Sequence, residues 1–317
     1  MVQTTDLSNE EILREMDATV TSLIDRHLSV AKEWFPHEYV PYGEGRDYTE
    51  LPWDPSQSRL SETAQIAFEV NLLTEDNLPS YYRDGSELAP RNSPWEFWMN
   101  RWVAEEGRHA IVMRDYLTVT RGVDPIELER GRMHQIQTAY YHPTEKTVLN
   151  LLVYTSFQEL ATRISHRNVG TYTQDPIAEK LLARVAADEN LHMIFYRDLI
   201  SAAIELTPSQ TVKEIRGQLL GFQMPGTGIK NFQEKAKKIA RAGIYDLRIH
   251  HDEVVMPVLR KWNFFELEGL TPEAEQARTE VAEYVKNIDA LAVHFEEKRD
   301  EWKARQAARA EDGAVAV

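Results

Sequence analysis

Six residues of this chain fall into two copies of one pattern. Glu75 is followed 31 residues later by Glu106, with His109 three places beyond it. Glu159 is followed 30 residues later by Glu189, with His192 three places beyond that. The copies are offset by about 84 residues. Residues at i and i+3 are neighbours on an α-helix, so each Glu–His pair shares one face. An interval near 30 residues lets one helix run out and a second return antiparallel to the same depth. The pattern therefore predicts two helical hairpins that bring their acids and imidazoles to one level.

The rest of the chain agrees with an all-α reading, since strand signals are nearly absent and long segments follow a helical period. Ser8, with Glu11 three residues later, reads as a capping box that opens a helix ending near Val30. Residues 33–60 hold Pro36, Pro41, Pro52, Pro55, Gly43 and Gly45, and read as an irregular connection. Helices are expected over 61–84, 94–121, 144–170 and 176–204, then over 208–220, 229–243, 247–262 and 271–303. Residues 305–317 are Ala-rich and charged, and are expected to fray. No shift in composition marks a boundary, so 1–317 reads as one domain, with a bundle core over about 61–204 and C-terminal helices over about 208–303.

Helix phase places the repeated residues among apolar ones. Glu75 lies on the stripe of Ala64, Phe68 and Leu72, and Glu159 with Leu152, Thr155 and Thr162. Glu106 and His109 share a face with Met99, Trp102, Ala110, Met113 and Leu117. Glu189 and His192 lie with Leu182, Val185, Ala186 and Tyr196. Glu-x-x-His alone is a weak signal: two of the ten histidines have Glu at the third position before them, close to what composition gives. The duplicated register carries the inference. Four ionised carboxylates in an apolar core need compensating charge, which two divalent cations supply. Oxygen and imidazole donors without sulfur suit iron or manganese.

Composition narrows the remaining classes. A net charge of −15 argues against a nucleic-acid partner. With no cysteine in the chain, disulfides, thiolate metal sites and iron–sulfur clusters are excluded. Electrons for any redox chemistry must then come from another molecule. The first residues lack a basic stretch followed by an apolar one, and no apolar run approaches a membrane span, so a cytoplasmic location is expected.

With these residues assembled, the chain resembles the soluble acyl-carrier-protein desaturases, the plant stearoyl type and especially its bacterial relatives. The resemblance runs from about Trp34 to about residue 265. It is carried by Thr74-Glu75-Asp76-Asn77-Leu78-Pro79, Ala104-Glu105-Glu106-Gly107-Arg108-His109, Tyr154-Thr155-Ser156-Phe157-Gln158-Glu159, Ile164-Ser165-His166, Ala187-Asp188-Glu189-Asn190-Leu191-His192 and Gln223-Met224-Pro225. The resemblance implies a ferritin-like four-helix bundle with flanking helices and a di-iron centre. It also implies an O2-dependent reaction that removes two hydrogens from an acyl chain held on acyl carrier protein, with two electrons from ferredoxin, and commonly a homodimer. In its terms Glu106 and Glu189 bridge the two Fe ions; Glu75 with His109 completes one shell and Glu159 with His192 the other.

Equivalent positions in the two copies, local charge and the same resemblance suggest accessory roles. Asp188 would orient His109, and Glu105, in the equivalent place, would orient His192; from sequence alone both also fit solvated helix acids. Trp34 matches a tryptophan on the family's electron path, and equally an aromatic anchor. Thr162 matches a threonine beside the metals. Leu151 and Leu152 match positions lining the acyl tunnel, where plant members typically have Gly and Phe. Lys230, Lys235, Lys237, Lys238 and Arg241 form a local basic run that fits a docking patch for an acidic carrier protein and equally a solvated helix face. Other di-metal oxidases, such as an N-oxygenase or hydroxylase, and iron-storage or peroxide-consuming bundles share the ligand pattern. More than a hundred residues beyond the bundle set the chain apart from the storage type, and missing spans and clustered histidines set it apart from membrane desaturases.

Overall fold

Capping chemistry sets most of the helix starts in the computed structural model, which describes residues 6–138, 147–223 and 226–315, with side chains through Arg305. Helix α1 (Asn9–Val30) opens on the expected capping box of Ser8 and Glu11. Three short 3-10 turns follow in the irregular connection. Among the described residues there is no strand, and no helix is long and apolar enough to cross a membrane.

The segment expected as one helix over 61–84 is two, α2 (Glu62–Glu75) and α3 (Leu78–Ser86). Pro79 has no N–H to give the Glu75 carbonyl, so the helix breaks directly after Glu75. That leaves an acid on the last turn of α2, against the local field of the helix end. Helix α4 (Pro94–Val119) begins at a Ser93 cap followed by Pro94.

Helix α5 (Pro125–Thr138) was not expected. Its start is legible: the Asp124 carboxylate accepts from Ile126 N at 2.8 Å, and Pro125 takes the first position. Its body is not, because only Leu128 and Gln135 are buried and no apolar stripe forms.

Helices α6 (Val148–Thr173) and α7 (Pro176–Leu206) form the tightest pair, joined by Gln174 in the left-handed region and by Asp175, which caps α7. Gly170, expected to end α6, lies inside it. A Cβ there would stand 3.2 Å from Glu179 Cα and 3.3 Å from Leu182 Cβ. The glycine serves close helix approach rather than a turn.

Helices α8 (Pro208–Leu220), α9 (Phe232–Arg241), α10 (Leu247–Ile249), a π-helical turn (His250–Val255), α11 (Met256–Lys261) and α12 (Pro272–Val315) complete the chain. Helix α12 thus continues past residue 305, where fraying was expected. Residues 144–146 of the fourth expected helix, and Met224 and Pro225, lie outside the described residues.

Helix α1 packs on α4 and α7, covering one side of the bundle formed by α2, α4, α6 and α7. Trp98 of α4 stacks on Phe195 of α7 at 3.5 Å, and Phe157 of α6 meets Trp262 edge-on at 5.5 Å. These large buried rings fix the depth at which the helices face one another.

Candidate metal centre

The four bundle helices bring all six repeated residues together, and all six are buried. Glu75 comes from the end of α2, Glu106 and His109 from mid-α4, Glu159 from mid-α6, and Glu189 and His192 from mid-α7. Their donor atoms form two overlapping groups, each within 4.8 Å: Glu75, Glu106, His109, Glu189; and Glu106, Glu159, Glu189, His192. Glu106 and Glu189 belong to both. His109 Nδ1 lies 3.1 Å from Glu189 Oε1 and 3.5 Å from Glu106 Oε2, and His192 Nδ1 lies 2.7 Å from Glu106 Oε1.

Five atoms here are buried without a hydrogen-bond partner: Glu106 Oε1, Glu159 Oε2, Glu189 Oε1 and both Nδ1 atoms. Groups orphaned this way are costly and call for an explanation. Here all five converge on one space, and each can offer a lone pair to a cation once it carries no proton. The set fits a di-metal site.

The electrostatics agree. Burial, then the charges of Glu189 and Glu106, push the Glu159 carboxyl well above the ordinary carboxylate range. Burial would lower both imidazoles, but the carboxylates around them, Glu106 foremost for His109 and Glu105 for His192, raise them well above the usual value. A cavity that draws protons onto its histidines to balance its acids would instead bind cations where cations are available.

The expected accessory residues lie directly beside the six. His109 Nε2 is 3.5 Å from Asp188 Oδ2, and His192 Nε2 is 2.8 Å from Glu105 Oε2. Trp34 donates its indole N–H to Asp188 Oδ2 at 2.7 Å. Burial alone would raise the Asp188 carboxyl; the bond to His109 and its charge, Trp34 and Arg184 hold it well below the usual range. Thr162 Oγ1 is 3.2 Å from Glu189 Oε2, and also within 3.1 Å of the Glu159 carbonyl.

Sequence reasoning missed three partners. Trp102 donates to Glu159 Oε1 at 3.1 Å, and its place on the ligand face of α4 was the available signal. His166 Nε2 is 2.9 Å from Glu75 Oε1, one further turn along α6 from Thr162. His27 Nε2 is 3.0 Å from Glu105 Oε2, and nothing in the spacing of α1 announces it.

Three cavities lie between the helices, one of them reaching Glu75. One of about 50 Å³ is lined by Leu151 with Gly85, Met99, Tyr154 and Tyr196, and an adjoining one of about 30 Å³ by both Leu151 and Leu152. A third, of about 260 Å³, is lined by Glu75, Thr162 and His166 at its inner end and by Phe232, Ile239 and Tyr245 beside α9. The basic run on and before α9 is partly spent within the fold. Lys235 pairs with Glu69 at 2.8 Å and Lys238 with Glu62 at 2.5 Å. Lys230, Lys237 and Arg241 face outward.

Comparison with known proteins gives one answer. The sequence profile of the family described as fatty acid desaturase matches residues 8–312. A provisionally named acyl-[acyl-carrier-protein] desaturase of Mycobacterium tuberculosis, DesA1, is 46% identical over 311 residues, covering 95% of this chain and 92% of its own length. The chloroplastic stearoyl-[acyl-carrier-protein] 9-desaturase of Gossypium hirsutum is 26% identical over 309 residues, with 91% and 77% covered. The X-ray structure of a second provisionally named acyl-carrier-protein desaturase of M. tuberculosis, DesA2, matches with a TM-score of 0.69 at 29% identity, over 82% of this chain and 97% of that one. The all-helical fold is thus of the ferritin-like type the resemblance implied, and the chain belongs to the fatty acid desaturase family.

Proposed function

We propose that this protein is an acyl-[acyl-carrier-protein] desaturase that uses O2 and two iron ions to place a double bond in a saturated acyl chain. The observation that carries the reading is the pair of overlapping clusters sharing Glu106 and Glu189, with five orphaned donor atoms aimed at one space. Glu106 and Glu189 would bridge the ions, Glu75 and His109 would complete one shell, and Glu159 and His192 the other. Bound iron supplies the oxidising power that an unactivated C–H bond requires.

The chain's own residues do the rest. Asp188 and Glu105 hold the two imidazoles by Nε2, so that Nδ1 faces inward. Trp102 and Thr162 fix carboxylate oxygens of Glu159 and Glu189. The apolar cavities beside Leu151, Leu152 and Tyr245 would seat the acyl chain and keep water from the centre. Reducing O2 to two waters takes four electrons, and removing two hydrogens from the substrate yields two. Ferredoxin or a similar donor would supply the others, with Trp34 and Asp188 as the entry.

The larger cavity runs from Glu75 and Thr162 toward α9, whose Lys230, Lys237 and Arg241 face outward. An acidic carrier protein docked there would deliver its acyl chain toward the metals. We also infer a cytoplasmic homodimer; the exposed Phe97 and Ile111 on one face of α4 support a partner copy. The test is the fatty-acid profile of cells expressing the wild type or Glu106→Ala. New unsaturated acyl chains with the wild type alone are expected; identical profiles would remove the assignment.

A further inference from the structure

Two rings from the N-terminal part of the chain stand against the two imidazoles of the centre in the same way. Trp34 stacks on His109 with centroids 6.4 Å apart and planes at 11°, and His27 stacks on His192 at 5.8 Å and 21°. Each gives a ring N–H to the acid behind its imidazole: Trp34 to Asp188 Oδ2 at 2.7 Å, His27 to Glu105 Oε2 at 3.0 Å. Those acids sit directly before Glu189 and Glu106. Each is also paired with an arginine one turn earlier on its own helix, Arg184 for Asp188 and Arg101 for Glu105. The duplication therefore extends outward from the ligands to the acids, the arginines and the stacked rings.

Hydrogen placement follows from the contacts. For His192 Nδ1 to offer a lone pair to a cation shared with Glu106 and Glu159, the ring hydrogen must sit on Nε2, where Glu105 Oε2 accepts it at 2.8 Å. That same oxygen accepts from His27 Nε2, and the other carboxylate oxygen faces Arg101. His27 Nδ1 is buried without a hydrogen-bond partner, so Nε2 is the ring nitrogen that is engaged, and toward Glu105 it can only donate. His27 is 4% exposed and meets the Trp98 ring edge-on at 5.0 Å, so it is not free to turn away.

We propose that His27 is the positioning residue of the second half of the centre: by donating to Glu105 it holds that carboxylate on His192 Nε2 and keeps His192 Nδ1 open for a cation. Trp34 does the same for His109 through Asp188. The inference rests on the di-metal reading and adds a residue from outside the four-helix core.

Anaerobic titration of the metal-free full-length protein with Co(II), followed by calorimetry and visible absorption, tests it. The wild type is expected to take two equivalents. In His27→Phe, which keeps a ring and loses the N–H, one equivalent should weaken roughly 10–100-fold with an altered cobalt band, the other binding as before. His27→Gln, whose amide can donate from a similar place, should restore both. If His27→Phe does not fold, His27→Met, also without a donor, carries the same expectation. Two unchanged equivalents with only a lower melting temperature would mean a packing role and overturn the proposal. A third equivalent in the wild type, lost in both the Phe and Gln variants, would make His27 a ligand and overturn it too. Fewer than two equivalents in the wild type would instead sink the di-metal reading, and the proposal with it.

Discussion

Glu159 shows what the centre demands of single residues. Its carboxyl is fully enclosed and surrounded by like charge, so in the metal-free protein it is a liability at any pH where the unfolded chain would ionise it. Glu159→Gln removes that liability and one proposed ligand together. At pH 8 the metal-free variant should be more stable than the wild type by about 1 kcal/mol, a rise of roughly 2 °C. It should also lose the stabilisation that added metal confers on the wild type. Scanning calorimetry with and without Fe(II) or Mn(II) separates these effects. A variant that melts lower when metal-free yet still gains stability from metal would contradict the placement of Glu159. At this scale the clustering of the six repeated residues was legible in the sequence, because helical spacing turns i, i+3 and a 30-residue return into geometry. Trp102 and His166 lay on faces already identified and lacked only a reason to single them out. His27 was not legible, since its partner is 78 residues away and no local pattern links α1 to α4.

Among the elements, α6 and α7 together carry the second half-site, and Gly170 lets them approach. Gly170→Val would drive side-chain atoms into the backbone of α7 near Glu179. Overpacking of this kind should cost about 1–3 kcal/mol, read as a lower urea midpoint, and should weaken metal binding, since Glu159 and Glu189 lie on the same pair. The expected helix ended at Gly170, since glycine commonly closes a helix. Only the interhelical distance reveals the other use. The break after Glu75 was hidden in the same way: Pro79 was visible, but the long apolar period across it suggested continuity.

The π-helical turn yields a pH effect. Burial, with a smaller push from His251, lowers His250 from its ordinary 6.5 to about 4, and its Nδ1 stands 2.9 Å from the Tyr245 hydroxyl. Between those values the unfolded chain binds the proton that the folded one resists. Stability is therefore expected to fall as pH drops from about 6.5 toward 4, with no further loss from this group below that. Urea unfolding at pH 7 and pH 4.5 should show a steeper loss for the wild type than for His250→Gln. Equal losses would mean that His250 is not the group responsible.

For the molecule as a whole, charge is distributed against its average. The chain carries −15, yet Lys230, Lys237 and Arg241 face outward beside the cavity that reaches Glu75 and Thr162. Lys237→Glu combined with Arg241→Glu is expected to raise KM for an acyl carrier protein several-fold and leave kcat nearly unchanged. The wild-type KM should rise with ionic strength as screening weakens the same attraction. A KM indifferent to both charge reversal and salt would move the docking surface away from α9.

The most direct measurement is product formation by the purified protein loaded with iron, given a saturated acyl-acyl-carrier-protein, reduced ferredoxin and O2, with the released acyl chains analysed by mass spectrometry. A chain two mass units lighter, bearing one double bond and formed only when iron, reductant and O2 are all present, is the expected result. Consumption of O2 with no alkene across a series of chain lengths, from a protein shown to hold two irons, would contradict the desaturase reading.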